Sequence, residues 1–183
     1  MLASLSTLSP GASAIEAGGV RFADRVTLAG SELVANGAGV RSRFVFDVYA
    51  MVLYLPARAN TAEAVAAQGG GRRIALQLLR DVSAEDFVGA LKAGLQANLS
   101  PAELSVLKPQ IDQFGETLLA VKEVSKGTPV TIDYLPASGT RITIAGQVRG
   151  SDIGGRNFYD ALLQVWLGGK PVQAELKTRL LGR

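Results

Sequence analysis

The chain has 183 residues, 48% of them hydrophobic, and a formal net charge of +3. That length fits one domain with a sizeable core, and its basic residues are dispersed, with no aromatic–basic tract that would point to nucleic acid. It contains neither Cys nor His, which excludes disulfides, thiolate chemistry, imidazole acid–base catalysis, Ser-His-Asp triads and the usual zinc sites. Any catalysis falls to Tyr, Lys, Arg or carboxylates.

Residues 1–15 begin with the fourteen-residue MLASLSTLSPGASA, a small, apolar and uncharged stretch. Ala12-Ser13-Ala14 has the A-x-A form of a signal peptidase site, but a charged n-region and a strong apolar core are both missing. The stretch reads as a leader remnant or a disordered tail, and residues 16–183 as the folded domain. No apolar run reaches the roughly 18 residues of a membrane span.

Val20 to Leu28 alternates apolar and polar residues as one strand, closed by a turn at Ala29-Gly30-Ser31. ELVANGAGVR and FVFDVYAMVLYL read as two further strands rich in Val, Phe and Tyr. Thr61 to Gln68 is a short helix ended by Gly69-Gly70-Gly71, and RRIALQLLR is the next strand. Ser83 with Asp86 resembles a capping box opening a helix to about Asn98, with Phe87, Leu91 and Leu95 on its buried stripe. Ser100-Pro101 starts another helix, with a kink or restart expected at Pro109. PVTIDYLP and TRITIAGQVR pair as a hairpin across Ala137-Ser138-Gly139. Helices over Phe158–Leu167 and Val172–Leu181 finish the chain. Without strict βαβ alternation, the order predicts an α+β fold: a mainly antiparallel sheet with helices on one face.

The GAGVRSRFVFDVYAMVLYLP stretch places arginines beside an apolar run. In one ideal strand Arg41, Arg43, Val45, Asp47 and Tyr49 share a face, and Phe44, Phe46 and Val48 the other. Two readings stand at this point. The first face is solvated, with Arg and Asp pairing across it, or Arg41 and Tyr49 converge as donors on one anion, the guanidinium forked onto a carboxylate and the phenol adding a hydrogen bond. The glycines of NGAGVR lack the spacing of a phosphate loop and mark a turn or a close backbone approach. Tyr159 and Trp166, seven apart, share a helix face and read as core. Asp81, Glu85 and Asp86 gather at a helix start, where the helix dipole accounts for them without a metal.

Taken in order, G-x-G-x-R before VYAMVLYLP, IALQLLRDVSAEDF, KGTPVTIDY and the WLG…P…LK…LLG ending resemble the chalcone isomerase-like family, in its bacterial branch, from about Gly18 to Gly182. The resemblance implies an open-faced β-sandwich with a ligand cleft between sheet and helices. Its members include isomerases that close a chalcone to a flavanone and non-catalytic proteins, some of which bind fatty acids. The plant enzymes' arginine falls at Arg41, their active-site threonine at Tyr49, their catalytic tyrosine at Phe87, their asparagine at Gly94 and their C-terminal Thr/Ser at Val165. Only the arginine is kept. A Phe cannot hydrogen-bond a ketone, and Gly and Val cannot steer a phenolate.

The resemblance therefore implies a non-catalytic protein holding a fatty acid or similar amphipathic carboxylate, with no cofactor and no metal. Arg41 is the anchor, Tyr49 a hydrogen-bond partner, and Phe87 and Val165 part of the ligand wall. The alternatives are a weak or promiscuous chalcone–flavanone isomerase and a structural or partner-binding module with a filled cleft. The A-x-A site, the lack of Cys and the bacterial resemblance together give an expectation of export to the periplasm or outside the cell.

Overall fold

The structure, a computed structural model, describes residues 13–183. Among the described residues eleven strands and five helices follow one another: β1 (Ala14–Ala17), β2 (Val20–Ala23), β3 (Arg25–Leu28), β4 (Ser31–Arg43), β5 (Phe46–Leu55), α1 (Ala62–Ala67) and β6 (Arg72–Leu78). Then come β7 (Val82–Ser83), α2 (Ala84–Asn98), α3 (Pro101–Leu119), β8 (Glu123–Val124), β9 (Pro129–Leu135), β10 (Gly139–Ile144), β11 (Gln147–Ile153), α4 (Arg156–Leu167) and α5 (Ala174–Leu180).

Seven strands form one antiparallel sheet in the order β11-β10-β9-β6-β5-β4-β3. Alternation decides what each face carries. The cross-strand row Leu53, Ile74, Ile132 and Ile142 faces the helices and is buried. One residue further along, the row Tyr54, Arg73, Asp133 and Arg141 lies on the other face, where Arg73 grips Asp133 at 2.6 and 2.8 Å and Arg141 grips Asp152 at 2.8 and 2.7 Å. At one end of this face the β1–β2 hairpin covers Ala50 with Ala17 and Val20. The α+β expectation of a large antiparallel sheet with a helical layer on one face holds.

Four local expectations are corrected. Val20 to Leu28 is two strands, because Asp24 bends the chain so that β2 pairs with β1 and β3 with β4. TRITIAGQVR is likewise split, by Ala145 and Gly146 at φ 51° and 77°, the left-handed pair of a tight hairpin turn. The first hairpin of the sheet turns the same way at Ala29 and Gly30, φ 48° and 79°, so Ala-Gly is the punctuation in both places. Pro109 does not break its helix: α3 runs unbroken from Pro101 to Leu119. The carbonyl it leaves unpaired is that of Ser105, an exposed residue, where water can take the bond. FVFDVYAMVLYL begins its strand at Phe46, with Phe44 and Val45 in the turn before it.

Residues 1–12 of the stretch set aside as a leader lie outside the described residues. Ala14 and Ile15, at its end, pair with Ala23 and Phe22 in the β1–β2 hairpin.

The NGAGVR stretch is a seat for α5. A bulge at Asn36 turns its buried side chain inward, where it donates to Ala59 O at 2.9 Å and Leu180 O at 2.7 Å and accepts from Ala59 N at 2.7 Å. On the helix-facing side Gly37 and Gly39 follow. A Cβ on Gly37 would stand 2.1 Å from Arg179 O, and one on Gly39 2.9 Å from Leu176 Cδ1. Only glycine lets the helix lie this close on the strand. The close-approach reading of these glycines holds, and the strip leads directly to Arg41.

Candidate functional site

Arg41 is the next residue on the same face of β4, and its partner across the ladder is Tyr49 of β5. The two do not lie on one strand, as sequence phase had it. The Phe44-Val45 turn folds the chain back, so they meet as cross-strand neighbours on one face. Val48 bulges out of register between them and the turn. That bulge brings residues of both expected faces, Arg43 with Phe46 and Val48, to a single cleft.

The cleft has a volume of about 340 Å³ and lies between this end of the sheet, α2 and α4. It is large enough for a small amphipathic molecule. Arg41, Tyr49, Phe87 and Val165 all line it. Its other walls are largely apolar, with Leu91 from α2 and Val172 ahead of α5, while Arg43, Arg80, Asp81 and Asp86 stand among the lining groups. Behind Phe87 and Val82, which border both spaces, a smaller cavity of about 20 Å³ continues among Leu76, Leu118, Val130 and Ile144. A wider groove of about 650 Å³ on the outer side of α3 and α4 includes Glu103, Asn157, Asp160 and Gln164. It contains none of the residues the sequence singled out.

Arg41 is half-buried. Its guanidinium donates to Ser42 O and, at 3.3 Å, to Gln173 Oε1, and that oxygen also accepts from Ser42 N at 2.9 Å. Asp47, the partner expected on a solvated face, accepts instead from the Ser42 hydroxyl at 2.6 Å. Among the described residues, no carboxylate forms an ion pair with Arg41. Its positive charge is thus balanced by no carboxylate ion pair among the described residues.

Tyr49 is buried, and its hydroxyl accepts from Trp166 Nε1 at 2.9 Å. Burial pushes the phenol up to about 12, against smaller opposing effects from the Trp166 hydrogen bond and the Arg41 charge. The group is therefore neutral at ordinary pH and keeps its proton as a donor. Phe87 sets its ring edge-on to Tyr49, centroids 6.4 Å apart at 74°.

Gly94, at the position matched to the plant enzymes' asparagine, is a packing contact. A Cβ there would come within 2.7 Å of Val165 Cγ1, so α2 and α4 cross where a side chain has no room. Trp166 and Tyr159 are both fully buried, and Tyr159 spends its hydroxyl on Ile132 O at 3.0 Å. Trp166 has a second role that sequence reasoning missed, since it holds the Tyr49 oxygen. Gln173 was missed as well: the sequence reading places it inside a helix over Val172–Leu181, whereas α5 begins at Ala174 and leaves Gln173 as its N-cap residue, free to reach Arg41.

A curled seven-stranded antiparallel sheet, with a helical layer on one face and a cleft between the two, defines an open-faced β-sandwich. A family model described as chalcone isomerase-like matches residues 14–182, and the chain belongs to the chalcone isomerase-like family. Among solved structures, a fatty-acid binding protein of Arabidopsis thaliana is similar in fold. Its TM-score is 0.67 at 14% identity, over 92% of this chain and 96% of that one. No curated relative matches in sequence.

Proposed function

We propose that the protein binds a fatty acid or a similar amphipathic carboxylate in the cleft between sheet and helices, without chemical conversion. The observation that carries this reading is an uncompensated, half-buried guanidinium beside a protonated phenol at an otherwise largely apolar cleft of about 340 Å³. A carboxylate takes the guanidinium's fork and the phenol's proton, and the tail takes the apolar wall. The fold is shared with a protein named for fatty-acid binding, which supports the choice of ligand class. Cyclisation of a chalcone is less well supported, because Phe87, Gly94 and Val165 offer no group to polarise a ketone or hold a phenolate.

The test is displacement of a fluorescent fatty acid by a long-chain acid and by its methyl ester. The acid should compete at least about tenfold better than the ester. Equal competition would return Arg41 to an ordinary solvated strand residue.

We also propose export to the periplasm or the medium, on the Ala12-Ser13-Ala14 site. Expression of the full-length gene should give a mature chain beginning at Ile15, and an uncleaved cytosolic chain would overturn this.

A further inference from the structure

The β4–β5 hairpin ends in Phe44 and Val45, which are 90% and 87% exposed, with Phe46 beside them at 58%. Three successive large apolar residues in water are costly, and they are held there by an unfavourable backbone. Phe44 has φ 57° and Val45 is not left-handed, the pattern of a hairpin turn whose first central residue is ordinarily glycine. A bulky residue in that conformation is strained. The Ala29-Gly30 and Ala145-Gly146 turns of this same chain use glycine. Here the turn's own preference is given up to project a phenyl ring and an isopropyl group.

Cations surround this tip. The Arg43 guanidinium lies 5.7 Å from the Phe44 ring centre and that of Arg80 5.3 Å from the Phe46 ring centre, while Arg41 stands deeper on the same wall. Nearby carboxylates are engaged: Asp47 accepts from Ser42, Asp81 accepts from the Lys126 backbone N–H at 2.7 Å, and Asp86 sits in the first turn of α2, against the positive helix end. Phe44, Phe46, Arg43 and Arg80 also line the cleft, so the apolar tip and the cleft mouth are one place.

We propose that this hairpin tip is a docking element for an anionic lipid bilayer. Phe44, Val45 and Phe46 enter the boundary between headgroups and acyl chains, and Arg43 and Arg80, whose guanidinium groups lie beside the Phe44 and Phe46 rings, meet the lipid phosphates. Docked this way, the cleft mouth faces the bilayer. The inference goes beyond carboxylate binding and does not need it, since the bilayer alone is the ligand.

Cosedimentation with vesicles of equal parts phosphatidylcholine and phosphatidylglycerol tests it. Wild type should pellet with these vesicles, and less with pure phosphatidylcholine. Phe44→Gly with Val45→Asn supplies the residues the turn prefers, so the melting temperature should hold or rise while vesicle affinity falls about tenfold. Arg43→Ser and Arg80→Ser should each weaken binding to the anionic vesicles about fivefold and leave the weak binding to neutral ones unchanged. The proposal is overturned if wild type stays in the supernatant, if the turn variant binds as wild type does, or if the tip only drives self-association seen by sedimentation velocity. Fatty-acid displacement run without vesicles separates the two readings, because either result can fail alone.

Discussion

Arg41 on β4 lies directly across from Tyr49 on β5, so two residues eight apart in sequence are next-door neighbours on one face of the sheet. Everything around this pair fixes it from behind. Gly37 and Gly39 seat α5 against the strand, Gln173 ahead of α5 accepts from Arg41, and Trp166 on α4 donates to Tyr49. Donors held by three separate elements lose little entropy when an anion arrives.

If the pair clamps a carboxylate, removing the guanidinium should cost roughly 1.5–3 kcal/mol of binding. Arg41→Ala then weakens fatty-acid affinity about ten- to a hundredfold, and Arg41→Lys regains only part, since an ammonium lacks the planar fork. Against Arg41→Ala the acid should lose its advantage over the methyl ester. Calorimetry with both ligands on both proteins reads this directly, and an advantage that survives the substitution places the anion elsewhere.

Phe87 divides the cleft from the smaller apolar cavity behind it. Phe87→Ala should join the two spaces and shift preference toward longer acyl chains, with the best-bound length increasing by a few carbons. The truncation should also cost stability, short of the roughly 3–5 kcal/mol of a fully buried Phe because this one is only partly buried. A displacement series over chain length checks the shift, and an unchanged optimum would mean that the tail does not pass Phe87.

The longer strands were readable from their apolar runs, and α1, α2 and α3 because Thr61, Ser83 and Ser100 each accept from a first-turn N–H, although the reciprocal capping box expected at Ser83 with Asp86 forms instead at Ser100 with Glu103. The splits at Asp24 and Ala145 were missed because an apolar–polar alternation runs straight across them, and only the Ala-Gly pair marks the second. Arg41 and Tyr49 came first from strand phase, Phe87 and Val165 from family resemblance, and the four do gather at one cleft. Their true geometry was not readable. It depends on a two-residue turn with no Gly or Asn in it, and on contacts to Trp166 and Gln173 more than a hundred residues away. Buried Arg72, between the Tyr134 and Tyr159 rings and paired with Asp160 at 2.7 Å, gave no local signal either, since its pattern is that of any strand start.

Gly39 should tolerate nothing larger. In Gly39→Val the side chain would meet Leu176 and Arg179, forcing α5 away from β4 at a cost of about 1–3 kcal/mol. Because α5 follows Gln173, the same shift should loosen Arg41. Chemical denaturation should show the lower midpoint, and fatty-acid affinity should fall although no cleft residue was changed. A destabilised variant with unchanged affinity would separate the α5 seat from the site.

Tyr49 and Trp166 make the sharpest test, because two effects of one substitution separate by pH. At neutral pH, Tyr49→Phe leaves the Trp166 N–H buried without an acceptor, which should cost about 1–3 kcal/mol of stability. In wild type, burial raises the phenol from 10.0 to about 12. Its proton is thus held more tightly in the folded chain than in the unfolded one. The contribution is fully present below pH 10 and is lost as pH rises through 12, at about 1.4 kcal/mol per unit of difference. The stability gap between wild type and Tyr49→Phe should therefore stay level up to about pH 10 and then shrink by roughly 2–3 kcal/mol toward pH 12. The subtraction removes what the two proteins share, so the change in the gap reports on Tyr49. Urea denaturation at closely spaced pH values, with phenolate absorbance followed in parallel, measures both limbs. A gap that stays constant to pH 12 would mean that Tyr49 is not the buried, proton-holding donor assigned to the cleft.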